Sequence, residues 1–557
     1  MGDSDQKNKD FVNVSSYLTH MAKTHPYRRA VVYPVGRDEN SRVSYTHFTF
    51  LQLDQESDCL AHGLQKAGIS RGTRITLMVK PSLEFFALAF AILKIGAVYI
   101  VVDPRMGMKR MVNCFKECRP EAFIGIPQAH LIRVLYRKYF KTVKTWITVG
   151  RRWFWGGATL KQIRQTPWKA FEAAETKRDE MAAIIFTTGS TGPAKGVVYD
   201  QGNFDAQIRY LNSHFNIKSG EVDLPTFPLY ALFDSALGMT AVIPDMDSTR
   251  PARVDPRKIV EAIHNHGITN MSASPALLHR VGSYGKHKGI KLPTLKRVVT
   301  SGAPIYPSKI QQFRSMLCED AEIHPSYGAT EAMPVTSIGS NEILFETKNL
   351  VEEGYGICIG RPIKEVEAKI IQINDDPIEQ WTNDIILEDG NVGEIAVKGD
   401  LVTKQYFERP EYNALAKITE GDDIWHRMGD LGCIDKKGRI WYCGRKSHRV
   451  VMVKRTLFTI PCEALFNKHP SVFRSALVGV GHRPNQKPVI CIELEKSANR
   501  QNKKNLKKEL LEIADSNELT MNIKTVLFKK AFPMDIRHNS KILREKLAIW
   551  AEKKLRW

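Results

Sequence analysis

Apolar and polar positions fall into two alternating rhythms over roughly the first 440 residues. Apolar residues spaced by three and four predict helices over Phe48–Ala67 and Ser82–Lys94. Short apolar runs predict strands over Arg74–Val79 and Ala97–Val102. The alternation returns farther on, with helices over Pro256–His266 and Ala276–Val281 and strands over Asn270–Ala273 and Lys296–Thr300. Such an order argues α/β with largely parallel sheets. Gly393–Val397 and Ile440–Cys443, with their turns, read as more β-rich, and a boundary is expected at Gly444-Arg445-Lys446-Ser447. Past it, strands Ala476–Val480 and Val489–Leu494 and helices Lys503–Ser516 and Leu543–Lys554 would form a compact α+β unit. No repeat of about 20 to 50 residues is present, which argues against a solenoid or propeller.

One connection between strands carries distinctive chemistry. Met181–Phe186 leads into Thr187-Thr188-Gly189-Ser190-Thr191-Gly192-Pro193-Ala194-Lys195-Gly196, and Val197-Val198-Tyr199 follows. Three glycines, four hydroxyls and one lysine in ten residues suit a phosphate-holding loop. Glycines let several backbone N–H groups turn toward one anion, hydroxyls add donors, and lysine adds mobile positive charge. The usual P-loop opens a helix, whereas β-branched residues follow Lys195. From the loop alone, an exposed flexible hairpin is the other reading.

Composition then narrows the class. A chain of 557 residues implies two or more units, and 43% hydrophobic with 25% charged residues suits a soluble globular enzyme. Met1–Asp10 has no signal pattern. Phe85–Val102 is the most apolar stretch, but Lys94 and Gly96 interrupt it, so a buried helix and strand are preferred to a membrane span. Nine scattered cysteines without a C-x-x-C pair argue for reduced thiols in a cytoplasmic protein and for no metal or nucleophile role. The net charge is +21, and Lys446–Trp557 holds 24 Lys and Arg against 10 Asp and Glu. Such a surface suits nucleic acid, an anionic membrane or a polyanionic substrate such as a nucleotide. Without a nucleic-acid motif, no nucleic-acid partner is expected. Arg151-Arg152-Trp153-Phe154-Trp155 and Arg137-Lys138-Tyr139-Phe140-Lys141 fit peripheral lipid contact or an ordinary amphipathic surface with inward-turned rings.

Further motifs complete a nucleotide constellation. Tyr327-Gly328-Ala329-Thr330-Glu331 joins an aromatic ring, a close-approach glycine and hard oxygens suited to Mg²⁺. His426-Arg427-Met428-Gly429-Asp430 presents a carboxylate suited to ribose hydroxyls, with Arg445 as a donor to the same sugar. Ser301-Gly302-Ala303-Pro304 is a small-residue turn that a base can approach.

In order and spacing, these motifs resemble the adenylate-forming superfamily of acyl-CoA synthetases, luciferases and peptide-synthetase adenylation domains, over essentially the whole chain. The resemblance implies an α/β fold: a large N-terminal domain, 1–444, of α/β subdomains plus a β-rich subdomain, and a small mobile α+β cap, 445–557. It implies ATP and Mg²⁺. Thr187, Thr188, Gly189, Ser190, Thr191, Gly192 and Lys195 would hold the β- and γ-phosphates. Tyr327 would stack on adenine, with Gly328 beside it and Gly302, Ala303 and Pro304 lining the base. Thr330 and Glu331 would contact the α-phosphate and Mg²⁺, with Glu331 as the metal ligand. Asp430 and Arg445 would bind ribose, Ser447 would be the hinge, and Lys541 would be the catalytic lysine of the cap.

The chain departs from the common pattern in informative places. Pro193-Ala194-Lys195 reorders the loop, Pro228-Leu229-Tyr230-Ala231 lacks the histidine of acyl-CoA ligases, and Ser540 replaces the glycine before the catalytic lysine. The glycine beside which a pantetheine arm runs is replaced near Arg455-Thr456. The lost histidine and this last replacement argue against transfer to coenzyme A. Leu224–Asp234, Val242–Asp247 and Asp535–Lys541 resemble the β-lactone synthetases of bacterial long-chain olefin biosynthesis, the OleC type, as do Phe123–Pro127 and Val149–Trp153. This narrower resemblance implies activation of a long-chain 2-alkyl-3-hydroxy acid and closure by its own hydroxyl, and allows docking to other enzymes of that pathway. Phe227, Tyr230, Phe233 and Asp234 are candidates for the acyl pocket or for core packing. A long-chain acyl-CoA ligase, a fatty acyl-AMP ligase and an ATP-sensing scaffold are the alternatives.

Overall fold

A computed structural model describes residues 10–103, 106–187, 193–500, 502–534 and 541–555. Its first sheet has seven strands, in the order Ala158–Thr159, Thr145–Thr148, Ala122–Gly125, Arg74–Met78, Val98–Val101, Met181–Thr187, Lys195–Asp200. All neighbours are parallel except the last two. Helix Leu83–Ile95 is buried from Phe85 onward, which explains its largely apolar sequence; its buried Lys94 pairs with Asp54 and Asp58, and Gly96 ends it in the left-handed region at φ 73°. Among the described residues, no helix is long and apolar enough to cross a membrane.

The second sheet has fourteen strands. Thr240–Val242, Val222–Pro225, Asn270–Ala273, Arg297–Thr300 and Glu322–Ala329 are neighbours in a parallel half. From Ala332–Ser337 onward the pairing is antiparallel, through Ile357–Pro362, Ile440–Arg445, Asp423–Ile434 and Gly393–Lys398. Thr330-Glu331 therefore forms the tight connection where the sheet changes sense. After residue 450 a three-stranded sheet, Val472–Val480, Lys487–Leu494 and Val526–Phe528, carries helices Lys503–Asp515 and Arg544–Leu555 and has its own apolar clusters.

Two differences from the sequence reading have clear causes. The expected helix Ala276–Val281 runs Pro275–Lys288. Its Gly282 and Gly285 are packing contacts rather than stops: a Cβ on Gly285 would stand 2.1 Å from Met316 Cε. Phe48 belongs to strand Val43–Thr49, and the helix begins at Phe50, where Thr49 and Gln52 form a reciprocal cap. The two aromatic–basic stretches divide. Phe140 and Trp155 are buried, whereas Trp153 and Phe154 are exposed. Cys114 and Cys118 are buried on one helix, and burial pushes the Cys114 thiol up to about 12.

A buried carboxylate ties the β-rich region to the residues after the expected boundary. Glu394, 1% exposed, accepts from Arg427 Nε at 3.0 Å and Nη2 at 2.7 Å and from Lys446 Nζ at 3.0 Å. Removing it leaves buried Arg427 and half-buried Lys446 without their carboxylate. Glu394→Leu is expected to lower stability by about 3–5 kcal/mol, read as a fall in the denaturation midpoint; an unchanged midpoint would show that water solvates the cations instead.

Candidate active site

Thr187 and Lys195 face each other in the register of the antiparallel strands Met181–Thr187 and Lys195–Asp200. Thr188, Gly189, Ser190, Thr191 and Gly192, between them, lie outside the described residues. Lys195 Nζ rests 4.9 Å from the ring centre of Tyr406 and 4.4 Å from that of Tyr412. Burial pulls its ammonium below the usual lysine range, Glu331 opposes that shift, and Arg445 adds to it.

Glu331 is the centre of this cluster. Tyr406 Oη donates to its Oε1 at 2.7 Å. Its backbone carbonyl accepts from Thr403 N at 2.9 Å and Thr403 Oγ1 at 3.1 Å. Tyr199 Oη donates to the carbonyl of Thr330, so the turn is also held from the seven-stranded sheet. Buried Lys417 donates to the Thr403 carbonyl, and burial pulls its ammonium down to about 7 against the attraction of Glu331. Among the described residues, no three His, Cys, Asp or Glu side chains gather as a metal cage. A single carboxylate next to a phosphate loop is nevertheless the donor set that Mg²⁺ uses, with waters and phosphates completing its shell.

Asp430 anchors a second cluster on the same sheet. Tyr327 Oη donates to its Oδ2 at 2.7 Å, and Arg445 Nε lies 3.1 Å from its Oδ1. Asp430 and Arg445 face each other across adjacent strands. The Arg445 contact is a charge contact without hydrogen-bond alignment, so Oδ1 accepts no hydrogen bond. The Asp430 charge raises the Arg445 pKa, and burial, reinforced by Asp430, raises that of the Tyr327 phenol. Gly429, at φ 64°, lets the strand bulge that turns Asp430 inward. Gly302 takes φ 94° and leaves the Gly302-Ala303-Pro304 turn open to approach. Lys541 is exposed beside Ile542, which bridges Met534; both of those side chains pack on the C-terminal core. Asp535–Ser540 lie outside the described residues.

Beside these clusters lies an apolar cavity of about 100 Å³. Phe215, Phe233, Leu237, Met271 and Val299 line it, and Tyr230 and Ser301 stand at the side nearest Gly302. Tyr230 Oη approaches Ser301 Oγ at 3.4 Å and Met333 Sδ at 3.1 Å. Of the four sequence candidates, Tyr230, Phe233 and Asp234 line the cavity, while Phe227 packs against the Tyr230 ring. Sequence reasoning missed Tyr199, Thr403, Tyr406, Tyr412 and Lys417. They come from strand, loop and short helix segments with no motif spacing, and only their convergence on Lys195 and Thr330-Glu331 marks them.

A family model described as AMP-binding enzyme matches residues 18–407. The chain is 42% identical over 546 residues to an olefin beta-lactone synthetase of Xanthomonas campestris pv. campestris, covering 97% of each chain. It is 42% identical over 551 residues to an olefin beta-lactone synthetase of Stenotrophomonas maltophilia, covering 98% of each. Its fold is similar to the ATP-bound structure of MatB from Rhodopseudomonas palustris, with a TM-score of 0.77, 18% identity, and 97% and 99% of the two chains covered.

The buried lysine gives a pH signature. In the unfolded chain Lys417 titrates near its ordinary 10.5, and in the fold near 7. Between those values the unfolded state binds more protons, so this residue makes stability rise with pH, and its full penalty applies below 7. The melting temperature of the wild type minus that of Lys417→Met should climb from pH 7 to pH 9.5. A flat difference would remove Lys417 as the source.

Proposed function

This chain belongs to the family of AMP-binding enzymes, and we infer that it uses ATP to activate a long-chain 2-alkyl-3-hydroxy acid and then closes that acid to a β-lactone. The observation that carries the lactone step is identity of 42% along nearly the whole length of two olefin beta-lactone synthetases. In the first half-reaction a substrate carboxylate oxygen bonds to the α-phosphorus of ATP and pyrophosphate leaves. In the second, the substrate's 3-hydroxyl oxygen bonds to the acyl carbon, the bond to AMP breaks, and the hydroxyl proton passes to solvent or a base. No thiol takes part. A held intramolecular nucleophile has an effective molarity of about 10⁵ M or more, which offsets ring strain.

We assign the roles as follows. Asp430 and Arg445 hold ribose, Tyr327 and the Gly302-Ala303-Pro304 turn flank adenine, and Thr187–Lys195 cradle the outer phosphates. Thr330 stands at the α-phosphate. Glu331 would hold Mg²⁺, which offsets phosphate charge when bound. Tyr406 fixes the Glu331 carboxylate, which supports that assignment. The boundary between units 1–444 and 445–557 belongs to the same proposal, and separate apolar clusters after residue 450 support it. Lys541, on the smaller unit, steadies charge between carboxylate and ribose-phosphate oxygens.

Incubation with ATP and a 3-hydroxy acid should yield AMP, pyrophosphate and a product lighter than the acid by one water, with or without coenzyme A. A thioester mass would overturn the lactone step. Lys541→Ala should still bind ATP but lose roughly 10²–10³ in pyrophosphate release, as expected for one preorganised donor; wild-type release would refute its role.

A further inference from the structure

The proposed acyl cavity has apolar walls and several polar lining residues, among them Asp223, Asp234, Asn270 and Arg297. Asp223 enters from strand Val222–Pro225 and Asp234 from helix Tyr230–Ala236. Both are at least 96% buried. Burial raises both carboxyl groups, which hydrogen-bond to each other, so near neutral pH they share a proton. Ser272 Oγ lies 3.5 Å from the Asp223 carboxylate. Asp234 Oδ2 has no hydrogen-bond partner. Gln207 shows the same pattern: its amide nitrogen donates to the Met333 carbonyl at 2.7 Å, while its Oε1, also in the cavity wall, has no partner.

We propose that Asp234 Oδ2, steadied by Asp223 and assisted by Gln207 Oε1, accepts a hydrogen bond from a hydroxyl of the acid substrate and so selects hydroxy acids over plain fatty acids. This rests on the reading of the cavity as the acyl site. A pocket for hydrocarbon alone has no use for two buried acceptors, because a methylene packed on them leaves both unsatisfied. A hydroxyl brings a donor for one of them. Position agrees with this role. Asp234 follows Tyr230 by four residues on one helix, hence on the same face and one turn along. Tyr230 marks the side of the cavity next to Ser301-Gly302, where the carboxyl end would lie. A 3-hydroxyl is two carbons from the activated carbon and enters the cavity with the first part of the chain. No covalent step is assigned to either carboxyl.

The test is pyrophosphate exchange with two acids of equal chain length, one 3-hydroxylated and one 3-deoxy. The wild type should prefer the hydroxy acid in kcat/KM by roughly 10- to 100-fold. Asp234→Leu should reduce that preference at least ten-fold, chiefly through the hydroxy acid. Asp234→Asn, which can donate to Asp223 and still turn an oxygen to the cavity, should retain most of it. Gln207→Met should weaken it by a smaller factor, and melting curves identify any variant that fails to fold. A wild type that closes the lactone yet exchanges both acids equally well overturns this inference and leaves the lactone reading intact. A folded Asp234→Leu with undiminished preference does the same. A wild type that forms a thioester overturns the reading itself.

Discussion

The Glu331 carboxylate is the charge around which the two large sheets are joined. It sits at the connection where the fourteen-stranded sheet passes from parallel to antiparallel pairing. Tyr199 reaches that turn from the seven-stranded sheet, and Thr403 and Tyr406 reach it from the segment that runs along strand Lys195–Asp200. Lys195 and Lys417 are both drawn into its field. Two partly dehydrated ammonium groups near one carboxylate form a site with excess positive potential, which suits an anionic ligand. Ligands of open α/β sheets gather where strand order changes, and Glu331 sits at such a change of sense.

The helices and strands that bury one or both faces were legible because burial writes a period into the sequence. Pro256–His266 and Asn270–Ala273 fall where the apolar pattern puts them. The edge pair Arg29–Arg37 and Val43–Thr49 was not legible, since an edge strand alternates weakly and carries charge. The helix that continues through Gly282 and Gly285 was cut short for a related reason: a contact with a distant helix decides what those glycines mean. In the candidate site, the motif residues were legible as chemistry. The groups that tune them were not, because Tyr406 and Lys417 acquire their roles only by packing against Glu331.

Asp430 illustrates how little freedom the nucleotide cluster has. One oxygen is engaged by Tyr327 and the other faces Arg445 without accepting a hydrogen bond. The Tyr327 ring and the Asp430 carboxylate are thereby fixed to each other; on the proposed reading a nucleoside would meet a preset distance between base platform and sugar anchor. Preorganisation of this kind lowers the ordering cost of binding and leaves more interaction energy for the transition state.

The second half-reaction poses a different problem. A thiol-transferring enzyme must admit a long cofactor arm to the acyl carbon, and that route also admits water. A lactone former needs no such route, and its nucleophile arrives already tethered. The chain's departures are consistent with that economy: Ala231 stands where ligases have histidine, and Arg455-Thr456 replaces the glycine beside the arm. What must be controlled instead is the rotation of the substrate about its own C2–C3 bond, since only one arrangement places the hydroxyl on the acyl carbon. An apolar cavity cannot impose that by shape alone on a flexible chain. A fixed acceptor can, because a single hydrogen bond from the hydroxyl restricts the torsion while the apolar walls hold the chain and exclude water. On the proposed reading, the buried acceptors of the cavity would answer the one demand that distinguishes ring closure from transfer.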